Sequence, residues 1–220
     1  MSVDVGAYHV LELQIASDPA DLRRVMPAIR AEHERILDVG CGAGQTLIAS
    51  TLGANVTALG IDCDLRALRL GRRLDPRIRF ICSKGEALPL GSEYFDLVIS
   101  RVALPYMDTR PALGEMTRVL KPGGTIWIAL HPLARLLQLM RGNLRRMELL
   151  RALHRLYVLA NGALAHFTGR EFRSPLTGRF ESFQTSPGIR RELQRLGFEN
   201  IKLDERAFFV VTATKAKRAA

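Results

Sequence analysis

The feature that most constrains this fold is a short apolar strand that runs directly into three alternating glycines. The run Ile36-Leu37-Asp38-Val39-Gly40-Cys41-Gly42-Ala43-Gly44 is followed at once by a helical pattern that begins at Gln45. Glycine is needed here because the turn that leaves a parallel strand is tight, and because side chains would block a ligand lying on the backbone. The next helix points its amide-rich N-terminus towards that ligand. The run therefore predicts a ligand site at the end of a first parallel strand.

Strand-like and helical segments alternate along the middle of the chain, which is typical of an α/β protein. The predicted strands are Arg35–Val39, Asn55–Ile61, Ile78–Cys82, Phe95–Ser100 and Thr125–Leu130. The predicted helices are Pro19–Glu34, Gln45–Leu52, Asp64–Leu74 and Arg110–Leu120, the first of them capped by Ser17 or Asp18. Such alternation gives parallel βαβ units with right-handed crossovers and helices on both faces of the sheet.

The C-terminal part of the chain has a different pattern. Ser186-Pro187-Gly188 predicts a helix with the serine as its cap and the proline at its first position, and Gly197 ends that helix. Two strands follow, Glu199–Asp204 and Ala207–Thr214, and they lie close enough in sequence to pair as an antiparallel hairpin. We therefore predict a Rossmann-like, doubly wound and mostly parallel sheet that is finished by an antiparallel hairpin.

The class of ligand follows from Asp62 and from the spacing of the glycines. Asp62 ends the second predicted strand, where its carboxylate can accept hydrogen bonds from both hydroxyls of a ribose. A dinucleotide site requires G-x-G-x-x-G, but Gln45 stands where the third glycine would lie. Asp38 is a poor neighbour for a diphosphate and a good one for an ammonium group. The loop therefore predicts an adenosyl ligand with a zwitterionic amino-acid tail, bound at the topological switch point of the sheet.

A basic segment between Pro132 and Arg170 belongs to neither half of the predicted sheet. It carries seven arginines against one acidic residue, and therefore +6 of the net charge of +10. Its leucines and methionines follow helical spacing, and Gly142-Asn143 is predicted to divide it into two helices. Three interpretations are open: a helical lid or insertion over an acceptor pocket (132–185), a helix on an anionic membrane surface (132–170), or a nucleic-acid-binding surface. The scarcity of aromatic residues among the arginines disfavours the third.

The length of the chain and its cysteine content further limit the class of protein. A chain of 220 residues suits one domain, here 1–220, with 1–34 as an N-terminal helical cap. Three cysteines provide no disulfide framework, and Met1–Gly6 has neither a basic start nor an apolar core, so we expect a cytoplasmic protein without a signal peptide. Cys41, Cys63 and Cys82 are interpreted as small apolar fillers, and no metal site is predicted.

From about Arg35 to Pro132 the chain resembles class I S-adenosylmethionine-dependent methyltransferases, particularly the ubiquinone/menaquinone-type and small-molecule subgroup. Four motifs match in order: LDVGCGAG (37–44), GID (60–62), EALPLGSEYFDLVIS (86–100) and EMTRVLKPGG (115–124). The resemblance implies the strand order 3-2-1-4-5-7-6, S-adenosyl-L-methionine as the cofactor, and methyl transfer to a small, apolar acceptor. Two alternatives remain open: an RNA methyltransferase, motivated by the net charge, and a binding protein without catalytic activity.

The resemblance also implies roles for individual residues. The methionine tail would lie along the glycine loop, the ribose on Asp62, the adenine edge against Glu86 with the Gly85 amide, and the adenine face against Cys63. Ser100 and Arg101 would form the floor under the sulfonium. The implied cofactor-binding residues are Asp38, Gly40, Cys41, Gly42, Gly44, Asp62, Cys63, Gly85, Glu86, Ser100 and Arg101.

One position near this set departs from the pattern of the family. Lys84 stands where relatives usually have an acidic residue, and a lysine cannot accept a hydrogen bond from the adenine amine. Either Glu86 or a backbone carbonyl then accepts the hydrogen bond from the adenine amine, or the cofactor binds more weakly. Lys121–Gly124 is interpreted as a structural helix-to-strand turn.

His131 and Tyr106 are the candidate catalytic residues. His131 ends the fifth predicted strand, where it is either a base for the acceptor or a residue that fixes the following turn. Tyr106 either shapes the pocket or packs. Arg101 either binds an acidic acceptor or pairs with a local carboxylate. Tyr8 and His9, ahead of the first predicted helix, either close over the site or belong to a disordered terminus.

Overall fold

A computed structural model describes residues 5–175, 177–206 and 208–217. Its centre is one seven-stranded sheet. The strands are β1 (Arg35–Val39), β2 (Thr57–Asp62), β3 (Arg79–Cys82), β4 (Phe95–Arg101), β5 (Leu120–Leu130), β6 (Phe198–Asp204) and β7 (Phe209–Lys215). They follow the order β3-β2-β1-β4-β5-β7-β6, in which β7 is antiparallel to both of its neighbours and the other pairs are parallel. The predicted fold class and strand order are confirmed.

Helices cover both faces of this sheet. They are α1 (Val5–Ser17), α2 (Gln45–Ala49), α3 (Leu65–Leu74), α4 (Thr109–Val119), α5 (Leu133–Arg145), α6 (Leu149–Thr168) and α7 (Ser186–Arg195), with one 3₁₀ turn at Leu104–Tyr106. Buried residues of α4 and α7 pack on one face of the sheet, and buried residues of α2 and α3 pack on the other. None of the helices in the described ranges combines the length and apolarity that a membrane crossing requires.

The predicted helix Pro19–Glu34 is wrong, and the N-terminal helix is α1 instead. After α1 the chain forms turns, because the Asp18 carboxylate accepts a hydrogen bond from the Ala20 amide at 2.9 Å and Pro27 has no amide hydrogen to donate. Val25 and Ile29 pack against the buried residues on one face of the sheet from this irregular segment. The residues of α1 have almost no amphipathic periodicity, so the sequence carried no signal for this helix.

Lys121–Gly124 is not a turn between a helix and a strand. The helix α4 ends at Val119 and β5 begins at once, so that this segment lies inside β5. The register with β4 shifts there, since Phe95 pairs with Leu120 and Leu97 pairs with Thr125. The segment is therefore an irregularity within a strand pair.

Two predicted boundaries in the C-terminal half are also corrected. The cap of α7 is Thr185, whose side-chain oxygen accepts from the Gly188 amide at 3.1 Å, and not Ser186. The helix α5 continues through Gly142-Asn143, and the break before α6 falls at 146–148, where Met147 has a φ of +57°. The predicted strand start at Ala207 lies outside the described residues.

Candidate functional site

The glycine loop joins the carboxyl end of β1 to α2 at the edge where the sheet order reverses. Gly40, Gly42 and Gly44 have φ values of +76°, +56° and +78°, which side chains other than glycine rarely adopt. A Cβ atom added at Gly40 would lie 2.2 Å from the Cβ atom of Ala103. Packing within the chain itself, and not only a ligand, therefore requires glycine in this loop.

Asp62 is held in place by the backbone. Its Oδ2 atom accepts from the Gly42 amide and its Oδ1 atom accepts from the Asp64 amide, each at 2.8 Å. A carboxylate oxygen can accept more than one hydrogen bond, so both oxygens retain capacity for a ligand. The position predicted to bind a ribose thus carries an oriented and only partly buried carboxylate.

Asp38 and Ser100 are buried polar side chains at the ends of the adjacent strands β1 and β4. Neither Asp38 carboxylate oxygen, nor the Ser100 hydroxyl, has a hydrogen-bond partner of ordinary geometry among the described residues. Burial raises the pKa of Asp38 to about 7, although the positive charge of Arg101 opposes this shift. An unsatisfied buried carboxylate is costly unless a cation or a donor reaches it. This pair of acceptors is suited to an ammonium group.

Arg101 connects the sheet to α1. Its Nε atom donates to Thr46 Oγ1 at 3.0 Å, and its Nη1 atom donates to Glu12 Oε2 at 3.2 Å. The side chain of Arg101 is only 11% exposed, so this ion pair is largely shielded from solvent. Of the two alternatives drawn from the sequence, the structure shows the pairing with a local carboxylate.

The helix α1 covers the glycine loop. His9 is buried, and its Nδ1 atom lies 2.7 Å from the Nε2 atom of Gln45. A Cβ atom at Gly42 would lie 3.0 Å from the His9 ring. Burial lowers the pKa of His9, so the neutral ring can accept a hydrogen bond from the Gln45 amide. Tyr8 and His9 therefore lie within the first helix, and the alternative of a disordered terminus is wrong for these two residues.

The residues implied at the adenine side are near the start of α4. Glu86 Oε1 accepts a hydrogen bond from the Asp108 amide at 3.0 Å. The second carboxylate oxygen of Glu86 takes no part in this bond. A Cβ atom at Gly85 would lie 2.6 Å from the Met107 sulfur, so Met107 closes this side of the site. Lys84 is exposed.

The cysteines differ from one another. Cys41 is buried, and burial raises the pKa of its thiol well above the ordinary value. Cys63 and Cys82 are exposed, so the interpretation of these two cysteines as small apolar fillers is wrong. Within the described ranges, no three histidine, cysteine, aspartate or glutamate side chains are grouped so that they could hold a metal ion.

The structure brings His131 and Tyr106 into one electrostatic environment. Burial lowers the pKa of His131, and the nearby Arg135 lowers it further. Tyr106 is 53% exposed, and the partial burial of its side chain raises its pKa, with Glu181 adding to that shift. Glu181 itself bonds to Arg155 at 3.4 Å. The sequence did not indicate this contact, because Arg155 lies within α6 and Glu181 follows 26 residues later in the chain.

Comparisons with known proteins find methyltransferase similarity in the part of the chain that carries this loop. Residues 37–128 match the family model described as a methyltransferase domain. A demethylmenaquinone methyltransferase from Renibacterium salmoninarum is 36% identical over 109 residues, which cover 49% of this chain and 46% of that protein. A malonyl-[acyl-carrier protein] O-methyltransferase from Enterobacter lignolyticus is 38% identical over 117 residues, which cover 52% of this chain and 45% of that protein. The chain thus spans about half the length of the curated relatives it matches.

Solved structures with the same fold cover almost the whole chain. A SAM-dependent methyltransferase from Thermotoga maritima matches with a TM-score of 0.56 at 18% identity, over 96% of this chain and 91% of that one. The YcgJ protein from Bacillus subtilis matches with a TM-score of 0.57 at 18% identity, over 96% of this chain and 99% of that one. At such identities the likeness establishes the fold alone.

Proposed function

We propose that this protein transfers a methyl group from S-adenosyl-L-methionine to a small acceptor, because residues 37–128 match a methyltransferase domain and the curated relatives are methyltransferases. One observation carries the proposal. The buried side chains of Asp38 and Ser100 form no hydrogen bond of ordinary geometry with the described residues, since Thr46 only partly offsets the burial of Asp38, and both adjoin the loop that orients Asp62. The apolar character of the acceptor stays a prediction.

The residues of this edge fit the proposed cofactor. Asp38 would hold its ammonium group, and Asp62 would accept from its ribose hydroxyls. The cofactor, when bound, supplies a methyl group that is activated by a positively charged sulfur. The other proposed binding residues are Gly40, Cys41, Gly42, Gly44, Cys63, Gly85, Glu86, Ser100 and Arg101. Arg101 acts here by positioning, since its guanidinium group is already bonded to Glu12 and Thr46.

His131 and Tyr106 would act on the acceptor. A lowered pKa keeps His131 neutral at pH 7, so that it can take a proton from the acceptor atom and release it to solvent. Tyr106 keeps its proton at pH 7, as an unperturbed tyrosine also would, and it can donate a hydrogen bond to the acceptor. Alignment of the acceptor and exclusion of water supply the rest of the acceleration.

We propose that 132–185 serves as the lid of a single unit. The Ser182 amide donates to the Pro105 carbonyl at 3.0 Å, which fastens the lid beside Tyr106. Glu171 accepts from the Thr109 amide at 2.8 Å, at the start of α4. These bonds support a lid that rests on the residues around the acceptor site.

Calorimetry with S-adenosyl-L-methionine and, separately, with NAD tests the cofactor assignment. We expect the first to bind and NAD to give no signal. Asp62→Asn should weaken cofactor binding by about 1.5–3 kcal/mol, since a charged acceptor is lost. The matched control is Asp64→Asn, which retains an acceptor for the Arg66 amide at the start of α3 and should bind normally. Binding of NAD alone would refute the assignment.

Labelled cofactor incubated with cell extract tests catalysis. We expect a labelled small molecule, and we expect His131→Gln to lower kcat while cofactor affinity is unchanged. Label that enters the RNA fraction would favour the RNA methyltransferase. A bound cofactor with no labelled product in any extract would favour the binding protein.

The exposed surface of the helical hairpin α5–α6 supports the proposal that the protein contacts an anionic membrane surface. Met147, Leu150 and Leu153 are 76%, 79% and 57% exposed, and Arg151 lies among them. Exposed apolar side chains beside arginines are typical of a helix that lies on anionic lipid. Flotation should recover the protein with phosphatidylcholine vesicles that contain phosphatidylglycerol, and not with phosphatidylcholine alone. A cytoplasmic location is part of this proposal, since the three cysteines are free.

A further inference from the structure

A large cleft lies between α5 and the connection from β6 to β7. Its volume is about 980 Å³, at the upper end of the range for small-molecule sites. One face of α5 forms one wall, and residues of the connection form the opposite wall. His131 lines the cleft at the end of β5, so the cleft adjoins the proposed acceptor site.

The charge in this cleft is strongly one-sided. Five arginines and one carboxylate line it: Arg135, Arg141, Arg145, Arg146 and Arg206, with Glu205. Arg206 is paired with Asp204. The other four guanidinium groups form no ion pair and no hydrogen bond with the residues that the structure describes, whereas Arg151 and Arg155 of the same hairpin pair with Glu148 and Glu181. Arginines converging on one cavity, without carboxylates to balance them, create a focused positive potential.

We propose that this cleft binds a small phosphate ester that carries at least two negative charges. The planar fork of a guanidinium group matches the oxygens of a phosphate and forms paired hydrogen bonds with them. The positive charge of four unpaired arginines exceeds the charge that a ligand with a single carboxylate would balance. Leu139 and Phe208 line the same cleft and can contact the organic part of the ester.

The position of His131 connects this cleft to methyl transfer. A phosphate held by the arginines of α5 would anchor a molecule whose remaining part reaches His131. The acceptor itself would then be the phosphate ester. This last step rests on the proposed function, while binding of the ester does not.

Calorimetric titration with inorganic pyrophosphate tests the cleft directly. The double variant Arg141→Gln with Arg145→Gln should weaken binding by about tenfold or more, because it removes two charge-assisted contacts. The double variant Arg66→Gln with Arg69→Gln makes the same change of charge on α3 and should alter binding less than about twofold. S-adenosyl-L-methionine should bind both variants as it binds the wild type. Absence of pyrophosphate binding, or equal weakening by both double variants, overturns the proposal.

Competition separates a small ester from a lipid headgroup. Pyrophosphate should bind in the absence of vesicles. It should compete with vesicles that contain phosphatidylglycerol only if lipid headgroups occupy the cleft. Vesicle binding that is lost in Arg141→Gln with Arg145→Gln, together with no pyrophosphate binding, would assign the cleft to lipid and overturn the proposal.

The identity of the acceptor is tested in the labelled extract. Treatment of the extract with alkaline phosphatase, followed by removal of the phosphatase, should abolish the labelled product. Product that persists after this treatment would show that the acceptor carries no accessible phosphate. No product in the untreated extract would instead count against the proposed function, so the two failures are distinguishable.

Discussion

The cofactor edge and the lid segment hold their charged groups in opposite ways. At the cofactor edge Asp62 is oriented by two backbone amides, and Asp38 is buried without a hydrogen bond of ordinary geometry to the described residues. In the lid most arginines lie at the surface, and four of those in the α5 cleft have no bonded partner among the described residues. Where the backbone orients a charged side chain, the role of that side chain can be inferred from its position in the sequence. Charges on a helix surface acquire a function only from what they bind.

The largest expected effect concerns Asp38. Its pKa is 3.8 in the unfolded chain and about 7 in the folded one, so the folded state holds a proton that the unfolded state has lost between these values. The free energy of unfolding therefore falls as pH rises from about 4 to about 7, by on the order of 4 kcal/mol. Asp38→Asn should remove this decrease, as urea unfolding across that range would measure.

The control for Asp38 is Asp75, whose shift has the opposite sign. A hydrogen bond from Arg77 lowers the pKa of Asp75, so its stabilisation is present above the unfolded value and is lost as pH falls. Asp75→Asn should therefore lose stability near neutral pH and keep the decrease caused by Asp38. Equal pH profiles for the wild type and Asp38→Asn would contradict a buried, unpaired carboxylate.

Gly40→Ala is expected to have the next largest effect. The new Cβ atom would lie 2.2 Å from the Ala103 Cβ atom, at a φ of +76°. We expect a loss of about 2–4 kcal/mol in the free energy of unfolding, and weaker cofactor binding. Gly91→Ala is the matched control, because nothing lies within 4 Å of its added Cβ atom. Similar losses in both variants would mean that the loop tolerates a side chain.

The cofactor edge was largely predictable because it is built from local patterns. The strand β1 has the predicted bounds, Arg35–Val39, and Asp62 ends β2 as expected. Apolar runs with alternating glycines leave few alternatives for the backbone, so their conformation follows from neighbouring residues. The strand order came from the family resemblance that these motifs carry, and it is also correct.

The helix α1 over the glycine loop and the contacts at the acceptor side could not be predicted in this way. Arg101 bonds to Glu12 across 89 residues of sequence, and α1 shows no periodicity that would announce a helix. Glu181 meets Arg155 only because the lid folds back on α6. Pairs of this kind depend on tertiary packing, which a single sequence does not display.

A smaller effect is expected from Glu12→Gln, which removes the carboxylate partner of the buried Arg101. Thr46 still accepts from the guanidinium group, so the loss should be about 1–2 kcal/mol and not the larger cost of an isolated buried charge. Hydrogen exchange of the α1 amides should rise. Arg206→Gln breaks an exposed pair with Asp204 and should leave stability unchanged, whereas an equal loss would show that burial of the Arg101 pair is unimportant.

The smallest expected effect on stability lies in the lid. Leu150 and Leu153 are 79% and 57% exposed, so replacing both with serine should change the free energy of unfolding by less than about 0.5 kcal/mol. Flotation with phosphatidylglycerol vesicles should nevertheless decrease, because the apolar contact with lipid is lost. Leu136→Ala, at a buried position of α5, should instead lose about 2–3 kcal/mol. A large loss of stability in the serine variant would mean that these leucines pack within the lid, and the contrast between its surface and the buried cofactor edge would then fail.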